Sequence, residues 1–110
     1  MNEKPAIVLR HDGGPDPSVL RQVCAGAEEE GVPIRAETGR GRAAAAMAHG
    51  AALASVLEVG VGIGADGVVA VHHASLPETD PVVRVPCRAS AAELRVAGRT
   101  AARIVKTLPL

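Results

Sequence analysis

Three consecutive carboxylates, Glu28-Glu29-Glu30, are the residues best placed to do chemistry. They fall in the last turn of a predicted helix, where the helix dipole is already negative and where neighbouring carboxylates repel one another. Positions that break a local rule are enriched at functional sites. Two readings stay open. One is a solvated cluster loosely paired with Arg21 or Arg35. The other is an oxygen ligand offered to a hard cation such as Mg²⁺, or to basic groups of a partner. A second constellation is basic. Arg95, Arg99 and Arg103 repeat every four residues, with Lys106 following. That spacing lines them along one helix face. Cations near a helix C-terminus suit its dipole, so the stripe is either a solvated face or a docking face for an acidic partner surface.

Other reactive residue types fall into no working arrangement. Gly60-Val-Gly62-Ile-Gly64 has neither the G-x-G-x-x-G spacing nor the lysine of a phosphate-binding loop, and no helix follows it to receive an anion. These glycines read as places where another backbone comes close. His72 and His73 are adjacent on a strand, so their rings point to opposite faces and cannot chelate one metal. His11 and His49 have no ligand-like spacing, and a zinc site is not expected. Ser18, Ser55, Ser75 and Ser90 sit at caps or turns without a nucleophile motif. Cys24 lies on the apolar side of a helix, and Cys24 and Cys87 form no C-x-x-C, as expected of reduced thiols in a cytosolic protein. A stand-alone enzyme is not expected.

The elements that must hold these residues follow from pattern. Ala6 to Leu9 reads as a buried strand, and His11 to Pro17 as a loop broken by Gly and Pro. Asp16 and Pro17 make an N-cap and N1 pair for a helix from Pro17 to Glu30, with Val19, Leu20, Val23 and Ala27 on one face and Gly31 just beyond its end. Pro33 to Glu37 is a second strand. Gly41 to Ser55 is an Ala-rich helix in which Gly50 marks close packing. Val56 to Ile63 and Gly67 to His72 form a hairpin, and Val82 to Val85 is a last strand. Ser90 and Glu93 form a capping box for a helix from Ala91 to Thr107, with Leu94, Ala97, Ala101, Ile104 and Leu108 on one side. The order β-α-β-α-β-β-β-α predicts a three-layer α/β/α domain over residues 1–110, with a mixed sheet.

Composition narrows the partners. The 110 residues carry 12 Lys plus Arg and 12 Asp plus Glu, a formal net charge of zero that argues against a non-specific polyanion binder. With 0% aromatics, the chain can offer neither stacked rings to single-stranded nucleic acid nor an aromatic cage. No nucleic-acid or membrane partner is expected: the apolar run Ala43 to Leu57 is short and interrupted, and the N-terminal residues do not read as a signal peptide. A core of Val, Leu, Ile and Ala predicts modest stability for the chain alone.

Several strings then line up with a known family. Glu28 to Arg35 (EEEGVPIR) resembles the EEEGIPFR segment of the small subunit of diol/glycerol dehydratase-reactivating factors. Val59 to Gly64, Val68 to His72 and Leu76-Pro77 are similar to that family's hairpin. Gly98 to Lys106, with Leu108-Pro109, is similar to its GNNAARLVKGIPF ending. The resemblance implies an anticodon-binding-domain-like fold with a five-stranded sheet in the order 2-1-3-4-5, strand 4 antiparallel. It implies a non-catalytic subunit of an ATP-dependent, chaperone-like complex. Its partner would be a large actin-like ATPase subunit, also similar to heat-shock chaperones, that holds ATP and Mg²⁺. The complex would release damaged cobalamin from a coenzyme-B12-dependent dehydratase by subunit swapping, in the cytoplasm or with a bacterial microcompartment. By the same resemblance Glu29 reaches the large subunit's Mg²⁺. The reading of the two charge clusters as docking features puts Glu28, Glu30, Arg95, Arg99 and Arg103 at the partner interface. The dehydratase medium subunit is related but longer, and ending at Leu110 favours the reactivase subunit. A truncated medium-subunit-like component of the dehydratase is the alternative. A small-ligand or self-associating module using the loop at Asp12 is a third.

Overall fold

Connection handedness accounts for the architecture of the computed structural model, which describes residues 4–107. Its elements are β1 (Ile7–His11), α1 (Pro17–Glu29), β2 (Ile34–Thr38), α2 (Ala44–Ala54), β3 (Val59–Ile63), β4 (Val68–His73), β5 (Val83–Pro86) and α3 (Ala91–Thr107). The sheet order is β2-β1-β3-β4-β5. β1 is parallel to both β2 and β3, whereas β4 is antiparallel to both its neighbours. The crossover through α1 steps one way along the sheet, and the crossover through α2 steps back past β1. Two right-handed crossovers in opposite directions put their helices on opposite faces. α3 returns to the α1 face. The predicted three-layer α/β/α domain, its sheet order and its antiparallel strand are thus the ones observed.

Alternation along the strands divides the interior. Ile7, Leu9, Val59, Val61, Ile63, Val69 and Val71 face α1 and α3, and pack with Val19, Val23, Ala27, Leu94, Ala97 and Ala101. On the other face Ala70 and Val68 meet Ala44 and Ala48 of α2. There β3 presents only Gly60 and Gly62, and α2 lies directly on its backbone. A Cβ built on Gly60 would overlap the Ala48 carbonyl oxygen and the Ala52 amide; one on Gly62 would overlap the Ala44 carbonyl oxygen. The glycines expected to mark close backbone approach do so. Gly50 does not: a Cβ there would meet only Arg10 Nη1, the far end of a flexible side chain, at 3.1 Å.

Some predicted boundaries move, each for a local reason. His11 belongs to β1 rather than to the loop, in register with Thr38 and Ile63. The loop instead starts at Asp12, whose carboxylate accepts the Gly14 N–H at 2.8 Å. Val56 to Glu58 form a turn, not the start of β3. Ser55 Oγ accepts the Leu57 N–H at 3.1 Å and donates to the Ala6 carbonyl at 2.6 Å. Glu58 then takes the left-handed conformation, with φ 62°. The capping residue of α3 is as expected, with the Glu93 N–H donating to Ser90 Oγ at 3.2 Å. Leu108, expected on the buried side of α3, lies outside the described residues.

Candidate functional site

The α1 tip is fixed at both ends of its helix. Asp16 accepts the Ser18 N–H at 2.8 Å, and Pro17 occupies the first helical position. That backbone hydrogen bond, with lesser help from Ser18's side chain and Arg21, holds the Asp16 carboxyl below its usual range. At the far end the Glu30 N–H donates to the Ala27 carbonyl at 3.1 Å and the Gly31 N–H to the Glu28 carbonyl at 2.9 Å. Gly31 has φ 77°, the left-handed stop that a side chain resists.

α3 supplies the rest of the site. Gly26 and Gly98 cross with no side chain between them: a Cβ on Gly26 would overlap the Arg95 carbonyl oxygen, and one on Gly98 the Val23 carbonyl oxygen. This close crossing puts the basic stripe of α3 beside the acidic tip of α1. Lys106 Nζ lies 3.1 Å from Glu30 Oε1, and Arg103 Nε lies 3.6 Å from the same oxygen. Lys106 also donates to the Glu30 backbone carbonyl at 3.2 Å. The hydrogen bond from Lys106 keeps the Glu30 carboxyl below its ordinary range; partial desolvation opposes it, and the charges of Lys106 and Arg103 add to the lowering.

Glu29 is held differently. Its Oε1 lies 3.7 Å from Arg95 Nε, and that nitrogen donates to Gln22 Oε1 at 3.0 Å. The side chain of Glu29 is 49% exposed and that of Glu30 only 21%. Glu28 is exposed. Its charge adds to burial in raising the Cys24 thiol, and burial is the larger cause. Cys24, expected on the apolar side of the helix, is partly buried and packs against the core rather than within it. The structure therefore gathers Glu29, Glu30, Arg95 and Arg103, with half-buried Arg99 at the helix crossing. The cations that meet Glu29 and Glu30 come from α3. Sequence reasoning found both charge clusters but not that they are partners, and it missed the double role of Lys106. No local signal gave the pairing, because it follows from the close crossing of α1 and α3 at Gly26 and Gly98.

Among the described residues, no group of three or more His, Cys, Asp or Glu could hold a metal ion. Glu29 is instead a single, half-exposed hard oxygen donor. Such a group fits a coordination shell that is otherwise supplied from elsewhere. The two adjacent histidines diverge as the strand pleat requires. His72, wholly buried, has its ring centroid 4.8 Å from that of His49, and its Nε2 donates to the Glu78 carbonyl at 3.1 Å. His73 Nδ1 accepts the Ser75 N–H at 3.0 Å. At the carboxyl ends of β1 and β3 lies a cleft of about 580 Å³ lined in part by Asp12, Asp16, Cys87, Arg88 and Leu94. Asp12 and Asp16 are engaged there in the turn and the cap just described.

This sheet, with its acid-tipped α1 lying against α3, belongs to the class of dehydratase medium-subunit domains, and the family described as dehydratase medium subunit matches residues 4–110. Over 92 residues the chain is 42% identical to a probable glycerol dehydratase-reactivating factor small subunit of Citrobacter freundii, covering 83% of this chain and 79% of that protein. A solved glycerol dehydratase reactivase superposes with a TM-score of 0.91 at 37% identity, over 97% of this chain and 96% of the other. The structure of a diol dehydratase-reactivating factor complexed with ADP and Mg²⁺ superposes with a TM-score of 0.85 at 31% identity, over 97% of each. The chain belongs to the dehydratase medium-subunit family, as a small subunit of the glycerol/diol dehydratase-reactivating factors. No helix among the described residues is long and apolar enough to cross a membrane.

Proposed function

We infer that this subunit is the exchangeable, non-catalytic member of an ATP-dependent reactivating complex. Its partner is a large actin-like ATPase subunit that carries the ATP and Mg²⁺ site. Glu29 extends from the α1 tip to complete the coordination of that Mg²⁺, while Glu28, Glu30, Arg95, Arg99 and Arg103 border the contact. A related dehydratase subunit then takes this chain's place on the large subunit, and the displaced contacts let damaged cobalamin leave the coenzyme-B12-dependent enzyme. The observation that carries this reading is the half-exposed Glu29 carboxylate, held among the described residues by a 3.7 Å pair with Arg95 at the tip of α1. A relative solved with ADP and Mg²⁺ supports the setting.

The test is reconstitution of the complex with its large subunit in Mg²⁺, followed by reactivation of an inactivated dehydratase. Glu29→Ala should weaken complex formation and lower ATP-dependent reactivation. Unchanged behaviour of that variant in both assays would remove Glu29 from the mechanism. The family description favours one other reading, a medium-subunit-like component of the dehydratase itself. That reading calls for assembly with the catalytic large subunit and a measurable gain in cobalamin retention.

A further inference from the structure

The two neighbouring carboxylates at the α1 tip are treated oppositely by the fold. Glu30 is gripped by two cations, Lys106 at 3.1 Å and Arg103 at 3.6 Å, and Lys106 also takes up the Glu30 backbone carbonyl. Among the described residues Glu29 has one distant pair, and the cation concerned also donates to Gln22. Clamping Glu30 fixes the rotation of the last turn of α1. Glu30 is the C-cap directly after Glu29, the last residue of α1, so a terminus pinned through Glu30 presents Glu29 in one set direction.

We propose that Lys106 and Arg103 are positioning residues, which clamp Glu30 and the α1 terminus so that Glu29, and not Glu30, is presented to the cation of the large subunit. The inference rests on the role given to Glu29 above and adds what aims it. Lys106 has two functions in this scheme. Its ammonium neutralises Glu30, which would otherwise repel Glu29 and compete for the same cation. Its hydrogen bond to the Glu30 carbonyl caps a helix end that has no basic residue in its own last turn. Removal of a group that orients a metal ligand typically weakens the metal interaction by about 10–100-fold.

A double-mutant cycle on the reconstituted complex tests this. The variants are Lys106→Gln with Arg103→Gln, Glu29→Gln, and all three together. Affinity for the large subunit is measured across a Mg²⁺ titration, and each free chain is checked by its thermal unfolding. The clamp variant should need about tenfold more Mg²⁺ for half-maximal complex formation. The same pair of changes made on Glu29→Gln should add little, and Lys106→Arg should restore most of the effect. A clamp variant with wild-type Mg²⁺ dependence would overturn the proposal. So would an equal loss in the presence and absence of the Glu29 carboxylate, since that is the signature of a direct or merely structural contact. If Glu29→Gln alone leaves the Mg²⁺ dependence intact, the role of Glu29 fails first and the positioning scheme fails with it.

Discussion

Asp16 and Ser55 show how much of this site depends on single polar atoms distant from its charges. Asp16 starts the helix whose other end carries Glu29, and its carboxyl is held low chiefly by the Ser18 N–H. A folded-state value below the unfolded one means the stabilisation is present above the unfolded Asp value of about 3.9. It is lost as pH falls through the lower folded value. Unfolding followed against pH should therefore show wild type losing stability in acid more steeply than Asp16→Asn, which keeps an acceptor but does not titrate. Ser55 is buried and ties the end of α2 to Ala6 at the entrance to β1. Ser55→Ala leaves that carbonyl unsatisfied and should cost about 1–3 kcal/mol in denaturant unfolding. The Asp16 cap was legible because Asp-Pro carries its own geometry. The Ser55 bond was not, because its partner lies 49 residues away and no local pattern encodes it.

Helix contacts carry the next level of order. α1 and α3 approach through Gly26 and Gly98, and the pairing of Arg95, Arg103 and Lys106 with the acidic tip depends on that approach. Gly98→Val would drive two methyl groups into the Val23 carbonyl. It should cost about 1–3 kcal/mol or more by thermal or denaturant unfolding, and it should also weaken Mg²⁺-dependent assembly by moving the clamp. Gly39→Ala is the control: nothing lies within 4 Å of a Cβ at that position, and stability should stay within about 0.5 kcal/mol of wild type. The alternating glycines of β3 were legible as contact points because a strand gains nothing from glycine except closeness. Gly50 misled because an Ala-rich helix has no apolar stripe to show which side faces inward. The acidic and basic runs were legible as clusters, each on its own helix. Their union was not, since it follows from where α1 and α3 cross in space.

At the scale of the whole chain, the balance of charge and the all-aliphatic interior favour a subunit that is steadied by its partner. The charges sum to zero, with 12 of each sign. At the α1 tip Glu30 is held by Lys106 and Arg103, and Glu29 is held more loosely by Arg95. The interior is built from Val, Ile, Leu and Ala, and each buried Ala contributes far less than the roughly 1.5–3 kcal/mol of a buried Leu or Val. A ligand that binds only the folded chain adds stability by mass action, about 2.7 kcal/mol at a concentration 100 times its Kd. Excess large subunit in Mg²⁺ should therefore raise the unfolding midpoint of this chain, read by a probe placed on this chain alone. Chelating the Mg²⁺ with EDTA should remove much of the gain if Glu29 bridges to it as proposed, because that bridge would be lost while the rest of the interface remained. The Glu29→Gln variant should show the smaller gain at the outset and respond little to EDTA. A full gain that survives chelation would mean that the two subunits are joined by surface contacts alone, with no part played by the metal.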